Sequence, residues 1–122
     1  MGVTTIKLND SEHRVMDVLW DQGEMCAGDI AQHLGSQTGW SRSTVYTVLK
    51  WLHEKGAIER IGHKYLCRPL ISRGDVQTNE AVSIVDRLFD GSASHFLSAY
   101  CGGKRLDSAE IQELKKLIEE ME

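Results

Sequence analysis

Trp40-Ser41-Arg42-Ser43-Thr44-Val45-Tyr46-Thr47-Val48-Leu49, continuing through Leu52 to Lys55-Gly56, reads as one helix with two unlike faces. Val45, Val48, Leu49 and Leu52 fall at i, i+3, i+4 and i+7, the spacing of a stripe turned towards a core. Ser43, Tyr46, Thr47 and Lys50 repeat that spacing on roughly the opposite side, with Arg42 beside them near the N-terminus. Hydroxyls and long cations of this kind satisfy phosphate oxygens and base edges when a helix lies in the major groove of DNA. The same residues would serve as well on an ordinary solvated face, so the flanking sequence has to decide.

Upstream, Leu8-Asn9-Asp10-Ser11-Glu12 has the form of a helix start, with Asn9 as N-cap and Glu12 as its capping-box partner. The helix it opens carries Val15, Met16, Val18, Leu19 and Trp20 and is expected to end at Gly23. A second, shorter helix fits Ala27 to Leu34, with Ile30, Ala31 and Leu34 inward and Gly35 as its stop. Ser36 to Gly39 then form a polar turn. Downstream of Gly56, the runs Ala57 to Ile61 and Tyr65 to Leu70 flank Gly62-His63-Lys64. Two short runs rich in β-branched and aromatic residues, joined by a tight glycine-containing link, predict a β-hairpin. Three helices followed by a basic-tipped hairpin is the order of a winged helix-turn-helix. The fold class expected is therefore mainly α with a small β-hairpin.

The formal charge of −4 over 122 residues looks wrong for a nucleic-acid binder until it is divided along the chain. Residues 1–71 carry 8 Lys/Arg and 8 Asp/Glu, whereas residues 72–122 carry 6 against 10, so the whole excess of acid lies in the C-terminal part. Between residues 40 and 68 the basic side chains are Arg42, Lys50, Lys55, Arg60, Lys64 and Arg68, opposed only by Glu54 and Glu59. A local patch of that sign is what phosphate binding needs, whatever the overall charge.

After Ser72 the pattern changes. Ala81, Val82, Val85, Leu88 and Phe89 make an apolar stripe on a helix from about Arg73 to Phe89, broken by Asp90-Gly91-Ser92. A short helix carries Phe96, Leu97 and Tyr100, and Gly102-Gly103 is a second break. Asp107 and Glu110 then form a capping box, with Leu106 and Ile111 as its hydrophobic staple, and the last helix presents Ile111, Leu114, Leu117, Ile118 and Met121. Three short amphipathic helices cannot easily bury their stripes alone. Pairing with the same segment of a second chain is the economical solution. Residues 1–71 are accordingly read as a winged-helix DNA-binding domain and residues 72–122 as a three-helix dimerisation domain. The dimer seam is expected at Val85, Leu88, Phe89, Phe96, Leu97, Tyr100, Ile111, Leu114, Leu117 and Ile118.

The chain resembles the penicillinase-repressor (BlaI/MecI/CopY) family of bacterial transcription factors. The likeness begins at the Leu8-led capping box with Glu12. It is densest in Trp40-Ser41-x-x-Thr44-Val45-x-Thr47-x-Leu49-x-x-Leu52-x-x-Lys55-Gly56-Ala57-Ile58, and it continues through Tyr65 to Pro69 and Leu106-x-x-x-Glu110-Ile111-x-x-Leu114. The resemblance implies a homodimeric repressor on a palindromic operator; a cytoplasmic location is expected separately, since no apolar run nears the length of a membrane span and no signal peptide opens the sequence. The third helix would lie in the major groove, the wing on the backbone, and the C-terminal helices would hold the dimer. Carried over by position, Ser41, Arg42, Ser43, Thr44, Tyr46, Thr47 and Lys50 would face DNA, with His63 and Lys64 at the wing tip. Ser41 is also the expected N-cap, so its hydroxyl serves the helix first. An upstream sensor or protease is a further implied partner.

Three positions depart from the family. Trp51 stands where Arg is frequent and is expected to pack against the wing. Ala99-Tyr100 stands where β-lactam-responsive members are cut at an Asn-Phe bond. The C-terminal CxC pairs of copper-sensing members are missing, so release by that motif is not expected. Other classes fit less well. A winged domain devoted to protein contacts would sit better with an acidic third helix. An enzyme would need Cys67 and His63 as nucleophile and base, but no motif orients them. Cys26, Cys67 and Cys101 form no CxxC pair, and the five histidines lack ligand spacing. Neither metal nor cofactor is expected.

Overall fold

The computed structural model describes residues 6–122. In chain order the elements are α1 (Asp10–Gln22), β1 (Met25–Cys26), α2 (Ala27–Thr38), α3 (Arg42–Lys55), β2 (Ile58–Ile61), β3 (Leu66–Pro69), α4 (Arg73–Leu88), α5 (Ala93–Gly103) and α6 (Ser108–Met121). The chain divides into two compact units, Met1–Ala81 and Val82–Glu122.

The first unit begins with both halves of the expected capping box. Asn9 Oδ1 accepts the Glu12 N–H at 2.8 Å, and the Asn9 N–H donates to Glu12 Oε1 at 2.9 Å. Inward faces of three helices then supply the core: Val15, Met16 and Leu19 from α1, Ile30 and Leu34 from α2, and Val45, Val48, Leu49 and Leu52 from α3. Ile58 and Cys67 close it from the sheet.

Helix α2 runs a turn further than its sequence suggests. Gly35 lies inside it, and the left-handed end position falls to Gly39 at φ 78, whose N–H bonds the Gly35 carbonyl. A helix interior tolerates one glycine at a cost of about 1 kcal/mol, whereas a positive φ at the end tolerates little else. The hairpin forms as expected, with Ile58 opposite Pro69 and Ile61 opposite Leu66. A third strand was not legible: β1 pairs antiparallel with β3, giving the order β1-β3-β2.

The first half of α4 belongs with the winged unit. Val76 is fully buried, Trp20 Nε1 donates to the Ile71 carbonyl at 2.9 Å, and His13 Nε2 meets Glu80 Oε2 at 2.6 Å. Arg73 binds Asp21 at 2.8 Å and Asp17 at 3.4 Å. These ties carry the first compact unit to Ala81, past the 71/72 boundary drawn from composition.

In the second unit, Ser92 caps α5 through the His95 N–H at 3.1 Å, and Asp107 caps α6 through the Glu110 N–H at 2.8 Å. The Gly102-Gly103 pair, expected to be the break, completes the last turn of α5, and the break falls just after it at residues 104–107. Phe89 packs edge-on against Phe96, with ring centroids 5.5 Å apart. Yet no residue from Val82 onward is buried: Leu88 is 65 %, Leu117 50 %, Ile118 51 % and Met121 75 % exposed.

Candidate nucleic-acid interface

Helix α3 is fixed at both ends by local chemistry. Ser41 Oγ accepts the Thr44 N–H at 3.2 Å, and Gly56 ends the helix at φ 80 with its N–H on the Leu52 and His53 carbonyls. Val45, Val48, Leu49 and Leu52 are almost completely buried, which leaves the opposite face pointing outward. On that face Arg42, Ser43, Thr44, Thr47 and Lys50 are exposed and Tyr46 is half-buried. His63 and Lys64 are exposed on the turn between β2 and β3, where the wing tip was expected.

The hydroxyls on this face are not equally free. Ser41 Oγ lies 2.9 Å from Thr44 Oγ1 and 3.2 Å from Ser43 Oγ, while Thr47 Oγ1 donates to the Ser43 carbonyl at 2.9 Å. Thr47 spends its proton inside the helix, whereas the two contacts among the Ser41, Ser43 and Thr44 hydroxyls engage two of those three protons and leave one to donate outward. Arg42 Nη2 donates to Tyr46 Oη at 3.1 Å, and its guanidinium carbon lies 5.3 Å from the Tyr46 ring centroid.

The basic patch is smaller than the sequence count. Lys55 Nζ pairs with buried Glu12 at 2.5 Å and also bonds the Lys7 carbonyl at 2.8 Å, so it ties the end of α3 to the start of α1. Arg68 is held by Glu24 at 2.8 Å and Glu59 at 3.2 Å, and the Glu24 hydrogen bond is the first cause of its raised pKa. Among the described residues, Arg42, Lys50, Arg60 and Lys64 have no carboxylate partner.

Trp51, expected against the wing, lies beside Asn9 and Glu12 at the start of α1. It is 41 % exposed and lines a shallow concavity of about 320 Å³ with Asn9, Glu12, Glu54 and Lys55. One residue on from Lys50, it is rotated about 100° around the helix, towards the start of α1.

Tyr65 and Arg60 were missing from the sequence-derived interface. The Tyr65 ring meets the Tyr46 ring edge-on at 6.0 Å, and Arg60 lies over the Tyr65 face at 4.2 Å from its centroid. Burial pushes the Tyr65 phenol up, and Arg60 works in the opposite direction. The local charge window contained Arg60, but only the register of the hairpin shows where it lies.

The Cys67–His63 pair is not assembled. Cys67 is buried in β3 with its thiol donating to the Tyr65 carbonyl at 3.6 Å, and burial raises its pKa to about 11. His63 stands exposed on the turn. Among the described residues no group of three or more His, Cys, Asp or Glu side chains could hold a metal ion. No described helix is long and apolar enough to cross a membrane.

An outward polar face on the second helix of a helix-turn-helix, beside a basic wing, is the geometry of a groove reader. Residues 8–120 match the penicillinase repressor family. The chain belongs to that family. The penicillinase repressor of Bacillus licheniformis is 26 % identical over 116 residues, which cover 93 % of this chain and 91 % of that one. The methicillin resistance regulatory protein MecI of Staphylococcus aureus strain N315 is 22 % identical over 120 residues, 97 % and 98 % of the two chains. Two solved structures share the winged-helix fold. The solution structure of the DNA-binding domain of the repressor BlaI has 26 % identity and a TM-score of 0.54, and covers 59 % of this chain and 90 % of that one. The monomeric form of Bacillus licheniformis BlaI in complex with the blaP half-operator has 27 % identity, a TM-score of 0.51 and the same coverage.

Proposed function

We propose that this member of the penicillinase-repressor family is a DNA-binding transcriptional repressor, without enzymatic activity, that binds a palindromic operator as a homodimer. Helix α3 lies in the major groove, and the wing follows the backbone. The observation that carries the reading is the division of α3 into a fully buried face and an outward face on which Arg42 and Lys50 keep unneutralised charge. Arg42 and Lys50 contact phosphate or guanine, while Ser43, Tyr46 and Thr47 reach bases or sugar-phosphate at shorter range. Ser41 and Thr44 sit at the helix entry, and His63 and Lys64 add backbone contacts from the wing. The half-operator complex of the BlaI neighbour supports DNA as the partner.

The homodimer is supported by the second unit, whose apolar stripes stay open in the single chain. Val85, Leu88, Phe89, Phe96, Leu97, Tyr100, Ile111, Leu114, Leu117 and Ile118 supply the seam, so that residues beyond the winged unit act as its dimerisation segment. An upstream sensor protease would have to accept Ala99-Tyr100, which lies inside α5, and cleavage there requires that helix to open locally.

Salt dependence tests the interface. Arg42→Ala should weaken binding to the DNA upstream of this chain's own gene and lower the slope of log affinity against log salt by about one. An unchanged affinity and slope would remove Arg42, and with it this orientation of α3.

A further inference from the structure

Tyr65 closes the wing turn at φ 53. Asp90 is the other described non-glycine residue with positive φ, and aspartate tolerates it; a tyrosine adopts it only where the surroundings impose it. Three contacts do so. The Tyr65 carbonyl accepts the Ala27 N–H at 2.9 Å, at the first residue of α2. Its ring meets Tyr46 of α3 edge-on, at an interplanar angle of 88°. Its face carries the Arg60 guanidinium of β2 at 4.2 Å.

Arg42 closes the other end, stacked on Tyr46 and hydrogen-bonded to its hydroxyl. A Cβ on Gly28 would lie 3.4 Å from the same Arg42 Nη2, so this end rests against the start of α2. An unbroken Arg42–Tyr46–Tyr65–Arg60 ladder therefore joins the outer face of α3 to the wing. Arg60 stands opposite Cys67 in the hairpin register, and directly opposed residues share a face of the sheet. That face is the one on which Cys67 is buried, so Arg60 turns towards the helices and not towards the wing tip. Stacking on an aromatic ring holds a guanidinium in place without neutralising it, and leaves edge N–H groups to donate.

We propose that Arg60 is a phosphate contact of the DNA interface, and that Tyr65 is the positioning residue that keeps it in fixed register with Arg42. The proposal rests on the DNA-binding reading above. The Tyr46–Tyr65 stack sets the separation of the two cations, so the approach of the wing to the backbone follows the seating of α3 in the groove.

Anisotropy titrations of the full chain on a mixed-sequence duplex across a salt series count phosphate contacts, at about 0.9 in slope for each. Arg60→Ala should lower the slope by about that amount per bound protomer. Tyr65→Gly suits the left-handed backbone and should lower it equally while the circular dichroism spectrum stays folded. The double variant should lose no more than either alone, because an Arg60 freed from its ring has already lost its register. Tyr65→Phe keeps the ring and should keep the slope. If Tyr65→Gly does not fold, Tyr65→Asn, also tolerant of positive φ, takes its place. A wild-type slope in Arg60→Ala, or losses that add in the double variant, would overturn the proposal and leave DNA binding standing. A wild-type protein with no salt-dependent affinity would instead overturn the DNA-binding reading itself.

Discussion

Lys55 and Glu12 make one ion pair, yet replacing Lys55 by alanine should cost more stability than replacing Glu12 by glutamine. The difference follows from which partner is buried: the Glu12 side chain is 1 % exposed and that of Lys55 38 %. Lys55→Ala strands a carboxylate whose Oε1 keeps only the Asn9 N–H and whose Oε2 has no partner among the described residues. Breaking a buried pair from one side costs about 3–5 kcal/mol, and the partial exposure of Lys55 points to the lower end, about 3 kcal/mol. Glu12→Gln keeps an acceptor for Asn9 and lets the Lys55 ammonium reach water. The loss is then the difference between a charge-assisted and a neutral hydrogen bond, about 1 kcal/mol. At roughly 4 °C per kcal/mol, Tm should fall by about 12 °C for Lys55→Ala and about 4 °C for Glu12→Gln. Thermal unfolding by circular dichroism measures both, at one protein concentration because association would shift the midpoint. Equal losses, or a larger one for Glu12→Gln, would refute the argument that burial of the carboxylate decides the cost.

Leu114→Asp places a charge in the apolar stripe of α6 and should give monomers by light scattering, with weaker operator binding; a variant that stays dimeric would show that α6 is not the seam. Leu49→Ala empties a fully buried site on α3 and should lower stability by about 3 kcal/mol in urea unfolding, against less than about 1 kcal/mol for an exposed position such as Thr47→Ala. Cys67 gives a pH dependence. Folding raises its thiol from 9.0 to about 11, so the native state keeps a proton that the unfolded chain releases. That stability is complete below pH 9.0 and is lost as pH rises towards about 11, so the urea midpoint of the wild type should fall more steeply over this range than that of Cys67→Ala. Parallel slopes would show that Cys67 does not titrate differently in the two states.

Features set by near neighbours in sequence were legible. The Asn9–Glu12 capping box, the buried stripe of α3 and its Ser41 and Gly56 ends each depend on contacts within one or two turns. The hairpin between Ile58 and Pro69 was legible for a similar reason, since its link is short. What stayed hidden depends on distant pairing. Met25–Cys26 is too short to carry a strand signature and becomes β1 only because β3 lies beside it. Lys55 and Arg68 looked available in a charge window, but their partners Glu12 and Glu24 are far along the chain. Trp51 adjoins Lys50 in sequence, but one helical step carries it round to the concavity beside Asn9. The boundary at 71/72 followed a shift in composition, whereas Val76, His13–Glu80 and Arg73–Asp21 tie the start of α4 to α1. For the same reason spacing alone points to the tip residues His63 and Lys64, and only the folded hairpin brings Arg60 and Tyr65 against α3.

Operator binding by two copies of the α3 face is read out by a footprint on the DNA upstream of this chain's own gene, taken across a salt series. The expected result is a protected, dyad-symmetric site whose halves lie one helical turn or a multiple of it apart, with protection that weakens as salt rises. Uniform, weak protection without dyad symmetry, lost entirely at moderate salt, would contradict it.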